Sequence, residues 1–169
     1  ENILGSMTSV AGRFYMPGFI EDHGIKLKLG YQRQHPEAYR YLTYLQLPRG
    51  FNPSFIDTDK LFTIHSDYVF PLFYPDWNIP SVLYVKRFKA DLFYDYALNQ
   101  YQGVQNNEIV WKKGILYSLG AEVTSDFHLA RFMFPISAGV RYVYLPQLWD
   151  HRFEFVFNVD FYRIYSNMF

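Results

Sequence analysis

The chain has no cysteine, no net charge and no long apolar run, and each absence narrows the classes of protein to which it can belong. Without cysteine among the 169 residues, disulfides and thiolate metal sites are excluded. Sixteen basic and sixteen acidic residues cancel, so no overall field favours nucleic acid or an anionic surface. Charged residues or prolines interrupt every apolar stretch well before the roughly 18 residues that a membrane-spanning helix needs.

Aromatic residues are abundant instead, at 21% of the chain, and many of them alternate with polar residues. In residues 153–161 every odd position is Phe or Val, and the even positions are Glu, Val, Asn and Asp. Side chains on a strand alternate between two faces, so such a segment has one apolar face and one mostly polar face. The pattern predicts eight strands in one antiparallel all-β domain over residues 1–169. The predicted strands are 7–16, 25–34, 39–48, 61–72, 82–98, 110–125, 132–145 and 152–163.

The same alternation fits two kinds of barrel, which differ in where the apolar face points. In a soluble lipocalin-like barrel of eight strands it lines a cavity for a hydrophobic ligand, whereas in a transmembrane β-barrel it faces lipid. Strands of ten or more residues, aromatic residues near their ends and polar faces that mix small residues with both charges favour lipid. We therefore expect an antiparallel transmembrane β-barrel. The predicted lipid-facing residues are Phe88, Leu92, Tyr94, Phe153, Phe155, Phe157 and Phe161.

The segment Leu47-Pro48-Arg49-Gly50-Phe51 opens the longest irregular stretch, Leu47–Lys60, and five predicted strands follow it. This order resembles the C-terminal part of the bacterial surface antigen superfamily, the BamA-like barrels, in which a loop with an Arg-Gly-Phe/Tyr motif folds back into the lumen. Segments 66–72, 90–97, 117–122 and 134–136 are similar to the strands that follow that loop in the family. The resemblance covers roughly residues 45–169, with Ala97 where the family usually has glycine.

The resemblance implies a lumen loop motif of Arg49, Gly50 and Phe51. Arg49 would pair there with a carboxylate of the inner wall. The candidate partners are Asp67, Asp91, Asp95 and Glu122. The chain would be the C-terminal half of a sixteen-stranded barrel, hence a fragment of a longer protein, although a complete small barrel also fits the pattern.

The function implied is outer-membrane protein assembly or translocation, or anchoring of a missing periplasmic domain, in the outer membrane of a Gram-negative bacterium. The partners implied are the lipid bilayer and other outer-membrane or periplasmic assembly proteins.

The sequence predicts no enzyme, cofactor, metal or nucleic-acid partner. His65-Ser66-Asp67 contains the residue types of a catalytic triad, but neighbours on a strand alternate faces, so Ser66 points away from the other two. His65 and Asp67 share a face and could ligate a metal, but the five histidines otherwise show no ligand spacing. The chain contains no phosphate-binding, dinucleotide-binding or nucleophile-elbow motif.

Overall fold

A computed structural model describes residues 5–35, 41–52, 58–80, 82–105, 108–129 and 136–159, and its strands form one antiparallel sheet. The strands are β1 (Ser6–Pro17), β2 (Gly24–His35), β3 (Lys60–Phe73), β4 (Trp77–Ile79), β5 (Leu83–Gln105), β6 (Glu108–Leu129), β7 (Ile136–Leu145) and β8 (Asp150–Val159). Their spatial order is β1-β2-β3-β5-β6-β7-β8, with the short β4 beside β5. The prediction of an antiparallel all-β fold of about eight strands is therefore confirmed, although β4 lies outside the predicted strands. The sheet is open, and β1 and β8 form its edges. Among the described residues no helix is long and apolar enough to span a membrane.

The central hairpin of β5 and β6 is longer than the sequence predicts. Its strands contain 23 and 22 residues, and they pair continuously from Leu83↔Leu129 to Gln105↔Glu108, apart from a bulge between Val85 and Arg87. The predicted strands 82–98 and 110–125 stop short because residues 99–105 contain Asn, Gln and Gly without clear alternation of apolar and polar residues. Of the last two predicted strands, residues 132–135 and 160–163 lie outside the described residues.

The predicted strand 39–48 is wrong over its described part, since residues 41–48 form no strand and only 39–40 lie outside the description. This stretch belongs to an extended segment, residues 41–52, that lies on one face of the sheet. The backbone N–H groups of Tyr44 and Leu45 donate to Oε1 of Gln32, at 2.9 and 3.2 Å. A side chain therefore takes the place of a neighbouring strand as their hydrogen-bond acceptor, while the extended backbone keeps the alternation that suggested a strand.

The two faces of the sheet differ sharply in polarity and exposure. The face that carries segment 41–52 buries polar side chains, namely Gln32, Gln34, Thr63, His65, Asp67, Asp95, Asn99, Ser118, Thr124 and Asp126. The opposite face exposes large apolar side chains, among them Tyr31, Phe62, Leu92, Tyr94, Leu98, Ile115, Leu119, Val123, Val140, Phe153, Phe155 and Phe157. We call these two surfaces the polar face and the apolar face.

The hydrophobic core is small and lies between segment 41–52 and the polar face. Leu45 and Leu47 of the segment pack with Leu61 of β3 and Ala97 of β5. A second cluster contains Phe93, Val143 and Leu145, from β5 and β7. Phe51 packs against both clusters. The apolar side chains of the segment therefore hold it on the sheet, and the polar side chains around it need their own partners.

Candidate functional site

Arg49 lies at the centre of a buried ion cluster on the polar face. Its Nη2 contacts Oδ1 of Asp67 on β3, and its Nε lies 3.6 Å from Oδ2 of Asp95 on β5, the adjacent strand. The side chains of Arg49, Asp67 and Asp95 are only 8%, 4% and 0% exposed. Charges this deeply buried are stable only when they are paired, and these three pair with one another, although Nη1 of Arg49 and Oδ1 of Asp95 have no hydrogen-bond partner among the described residues.

Two further contacts fix Arg49 in place. Its backbone N–H donates to Oδ2 of Asp95 at 2.9 Å, so one residue binds the carboxylate through both backbone and side chain. Its guanidinium carbon lies 4.1 Å from the centroid of the Phe93 ring, a cation–π contact. Burial alone would lower the pKa of Arg49, but the charge of Asp95 and the hydrogen bond to Asp67 raise it above its ordinary value. Arg49 therefore remains a cation in this site.

His65 joins the same cluster from β3. Its Nε2 donates to the backbone oxygen of Gln46 at 3.0 Å, and its Nδ1 lies 3.0 Å from Oδ1 of Asp95. The imidazole thus connects segment 41–52 to the cluster of Arg49 and its two carboxylates. In the described part of the chain, no group of three or more His, Asp or Glu residues is placed to hold a metal ion.

Gly50 and Phe51 form the turn that directs Arg49 into the sheet. The N–H of Phe51 donates to the oxygen of Pro48 at 3.2 Å, and Gly50 between them has a φ of +84°. Glycine adopts such an angle readily, whereas a side chain there is strained. A Cβ on Gly50 would lie only 3.1 Å from Leu145 and 3.2 Å from Val143. The glycine therefore serves both the turn and the close approach to β7.

Two glutamines of β2 hold segment 41–52, a role that was not predicted from the sequence. Besides the role of Gln32 described above, Oε1 of Gln34 accepts from the N–H of Tyr41 at 3.1 Å, and its Nε2 donates to the oxygen of Thr58. The hydroxyls of Thr43 and Thr58 lie 3.1 Å apart. Two glutamines at alternate positions of one strand face were the available signal, because an amide can both donate to and accept from a backbone.

Only two of the four predicted carboxylate partners contact Arg49. They are Asp67 and Asp95, as described above. Glu122 accepts instead from Nε and Nη2 of Arg141, both at 2.8 Å, and Arg141 also contacts Glu154 at 3.2 Å. Asp91 takes part in no ion pair among the described residues, and its buried Oδ1 accepts no hydrogen bond there.

A second ion cluster lies near the other end of the polar face. Asp126 on β6 accepts from Nε of Arg87 at 2.6 Å, from Nζ of Lys89 at 2.8 Å and from the hydroxyl of Ser137. Together with the pairs around Arg49 and Arg141, it gives the polar face three locally compensated groups of charges, while Asp91 stays outside them. Such an arrangement joins neighbouring strands and holds the covering segment, which is a structural task.

The apolar face contains most of the predicted lipid-facing residues. Leu92, Tyr94, Phe153, Phe155 and Phe157 are exposed there, Phe155 to 94%. Phe88 is half-buried, since its ring stacks on that of Phe73 at 4.7 Å, and Phe161 lies outside the described residues. The apolar positions are continuous from strand to strand, because the register places side by side Tyr31, Phe62, Leu98 and Ile115.

Comparison with known proteins adds no family to this description. No family model matches the chain, and searches of curated proteins and of solved structures found no similar protein. The resemblance around Arg49 therefore stays a prediction from the sequence, and the function is inferred from the two faces and the buried cluster.

Proposed function

We propose that this chain is part of an outer-membrane β-barrel whose apolar face meets lipid and whose polar face, with segment 41–52, faces the lumen. The observation that carries the proposal is the inversion of the usual soluble pattern. In a soluble sheet the covered face is apolar and the exposed face is mostly polar, whereas here the covered face contains buried ions and the exposed face contains aromatic rings. A continuous exposed apolar surface of this kind is a site of interaction with protein or membrane.

The dimensions of the apolar face suit a bilayer. Along β6 this face runs from Ile115 to Phe127, about 12 residue steps. At about 3.4 Å per residue this is about 40 Å of strand, and a tilt of about 45° reduces it to a height of about 28 Å. The hydrocarbon core of a bilayer is about 30 Å thick. Apart from Ser125, the residues at alternate positions are apolar or aromatic, namely Ile115, Tyr117, Leu119, Ala121, Val123 and Phe127.

The edges of the sheet support a barrel larger than the described strands. β1 and β8 each have one side without a neighbouring strand among the described residues. Inside a bilayer an open edge leaves backbone groups without hydrogen bonds, so a spanning sheet must close. We infer that further strands complete it, as they would if the chain is the C-terminal half of a sixteen-stranded barrel.

Segment 41–52 supports a specific role within this class. A lumen segment anchored through an Arg-Gly-Phe motif is the feature in which the sequence resembles BamA-like proteins. On that ground the proposed role is outer-membrane protein assembly or translocation, or anchoring of a periplasmic domain, in a Gram-negative outer membrane. The partners would be the lipid bilayer and other assembly proteins of the outer membrane or periplasm.

The alternative, a soluble barrel with a hydrophobic ligand inside, fits the two faces poorly. Its apolar face would have to line the cavity, but segment 41–52 and the ion clusters occupy the opposite, polar face. Phe153, Phe155 and Phe157 would then need cover from elsewhere.

Membrane extraction tests the proposal directly. Membranes that contain the protein are washed with alkaline carbonate and then with detergent, and the extract is run on a gel with and without boiling. We expect the protein to stay in the membrane through the carbonate wash, to enter solution only with detergent, and to migrate differently after boiling because a closed barrel resists unfolding. Recovery of the folded protein in solution without detergent would contradict the membrane assignment.

A further inference from the structure

Two cations stand side by side at one end of the apolar face without an acidic partner. Arg33 on β2 and Lys60 on β3 are directly opposite each other in the register of the two strands. No ion pair among the described residues includes either of them. Like charges directly opposite on neighbouring strands destabilise a sheet. An anion bound between them would remove this repulsion.

The two cations border a cleft of about 160 Å³. The residues that line it are Arg33, Gln34, His35, Asp59, Lys60, Gln102 and Trp111. Nζ of Lys60 lies 4.9 Å from the centroid of the Trp111 ring, and Nη2 of Arg33 donates to Nε2 of His35 at 3.0 Å. Both cationic side chains are thus held in position by neighbours that do not neutralise them.

Asp59, the acidic residue that lines the cleft, is buried. Asp59 is 2% exposed, and its Oδ2 accepts from the backbone N–H of Gln102 at 2.7 Å. One oxygen of this carboxylate is therefore bonded to the backbone of β5. The open part of the cleft carries the positive charges of Arg33 and Lys60.

The cleft lies where the apolar face ends. Tyr31 lies two residues before Arg33, and Phe62 lies two residues after Lys60. Each is therefore the next side chain on the same face of its strand, and both are exposed. Trp111 is exposed beside Lys60. A tryptophan next to basic residues at the boundary of an apolar band is the arrangement found at the level of lipid headgroups.

We propose that this cleft binds the phosphate of an anionic lipid headgroup, with Arg33 and Lys60 as the ligands of the phosphate and Trp111 against the glycerol region. The inference depends on the proposed function, because the apolar face must meet lipid for a headgroup to reach the cleft. Arginine offers a fork of N–H donors to phosphate oxygens, and lysine adds a point charge. The phosphate would also separate the two cations that now lie opposite each other.

The test is a lipid titration of the detergent-solubilised protein, followed by native mass spectrometry. Phosphatidylglycerol is compared with diacylglycerol, which lacks the phosphate, and with inorganic phosphate alone. We expect saturable binding of phosphatidylglycerol only. The variant Arg33→Gln/Lys60→Gln should bind it about 30-fold more weakly, since each cation near a headgroup contributes a factor of about 5. The matched control is Lys86→Gln, an exposed lysine on β5 near the opposite end of the sheet, which should bind as the unmodified protein does.

Three results would overturn the inference. Equal binding of phosphatidylglycerol by the protein and the double variant would exclude Arg33 and Lys60, and equal loss in the control would show a nonspecific charge effect. Binding of inorganic phosphate as tight as that of the lipid would exclude a lipid source. If the double variant does not fold, Lys60→Gln alone serves, with an expected loss of about 5-fold. The carbonate wash tests the membrane assignment without involving Arg33 or Lys60. Failure of the proposed function is therefore distinguished from failure of the lipid site alone.

Discussion

Removal of the Arg49 side chain should destabilise the protein far more than removal of an exposed cation. Arg49→Met keeps an apolar stem beside Phe93 but leaves the carboxylates of Asp67 and Asp95 without their guanidinium. Both carboxylates are at most 4% exposed, so water cannot replace the missing partner. Breaking a buried ion pair by removing one partner costs about 3–5 kcal/mol of the free energy of unfolding.

The assay is urea unfolding of the protein folded in detergent or vesicles, followed through its three tryptophans. Arg13→Met is the matched control, because Arg13 is exposed and takes part in no ion pair among the described residues. This replacement should change the free energy of unfolding by less than about 0.5 kcal/mol. Arg49→Lys should lie between the two, since it keeps the charge but loses the fork of donors.

A double-mutant cycle shows whether the cost comes from the cluster. Asp67→Asn removes one of the two charges that Arg49→Met leaves unpaired, so the double variant should be more stable than the sum of the single losses implies, with a coupling of about 0.5–3 kcal/mol. If the free energy of unfolding of the Arg49→Met variant lies within about 0.5 kcal/mol of that of the unmodified protein, and the cycle shows no coupling, the buried cluster does not hold segment 41–52.

Three other substitutions test separate parts of the structure by the same unfolding assay. Leu92→Arg, in the middle of the apolar face, should lower the free energy of unfolding by about 2–4 kcal/mol in a bilayer. The control Leu42→Arg, at an exposed position of segment 41–52, should lower it by less than about 0.5 kcal/mol. Equal losses for the two variants would argue against lipid at Leu92. Gly50→Ala should cost about 1–3 kcal/mol because of the positive φ, and an unchanged stability would show that the turn relaxes. Asp126→Asn should cost only about 1 kcal/mol, as Arg87 and Lys89 are partly exposed, and a larger loss would place the cluster deeper than the structure does.

Alternation in the sequence predicted which residues share a face, because that property depends only on extended backbone. Leu92 and Tyr94 lie on one face and Phe93 and Asp95 on the other, as their positions require. Alternation does not indicate whether an extended segment has a neighbouring strand. It therefore assigned Leu45 and Leu47 to a strand, whereas their segment is extended without a strand neighbour and bonds to glutamine side chains.

The partners of Arg49 could be narrowed but not fixed from the sequence. The alternation of side chains along each strand places four carboxylates on one face, namely Asp67, Asp91, Asp95 and Glu122. Which of them Arg49 contacts depends on where segment 41–52 crosses the sheet. The packing of Leu45, Leu47 and Phe51 sets that crossing, and it leads Arg49 to Asp67 and Asp95. Long-range packing of this kind leaves no local pattern in the chain.

A spin-label scan along β6 tests most directly whether the apolar face meets lipid. Since the chain has no cysteine, single cysteines at positions from Ile115 to Val123, except Gly120, can each be labelled alone in the protein reconstituted in vesicles. Gly120 is left out because a Cβ there would clash with the backbone oxygen of Tyr142. Oxygen concentrates in lipid and a charged nickel complex in water. Labels at the odd positions should be more accessible to oxygen than to nickel, while labels at Ser118 and Glu122 should be protected from oxygen, which gives an oscillation of period two. Odd positions that are readily accessible to the nickel complex would place the apolar face in water and contradict the membrane assignment.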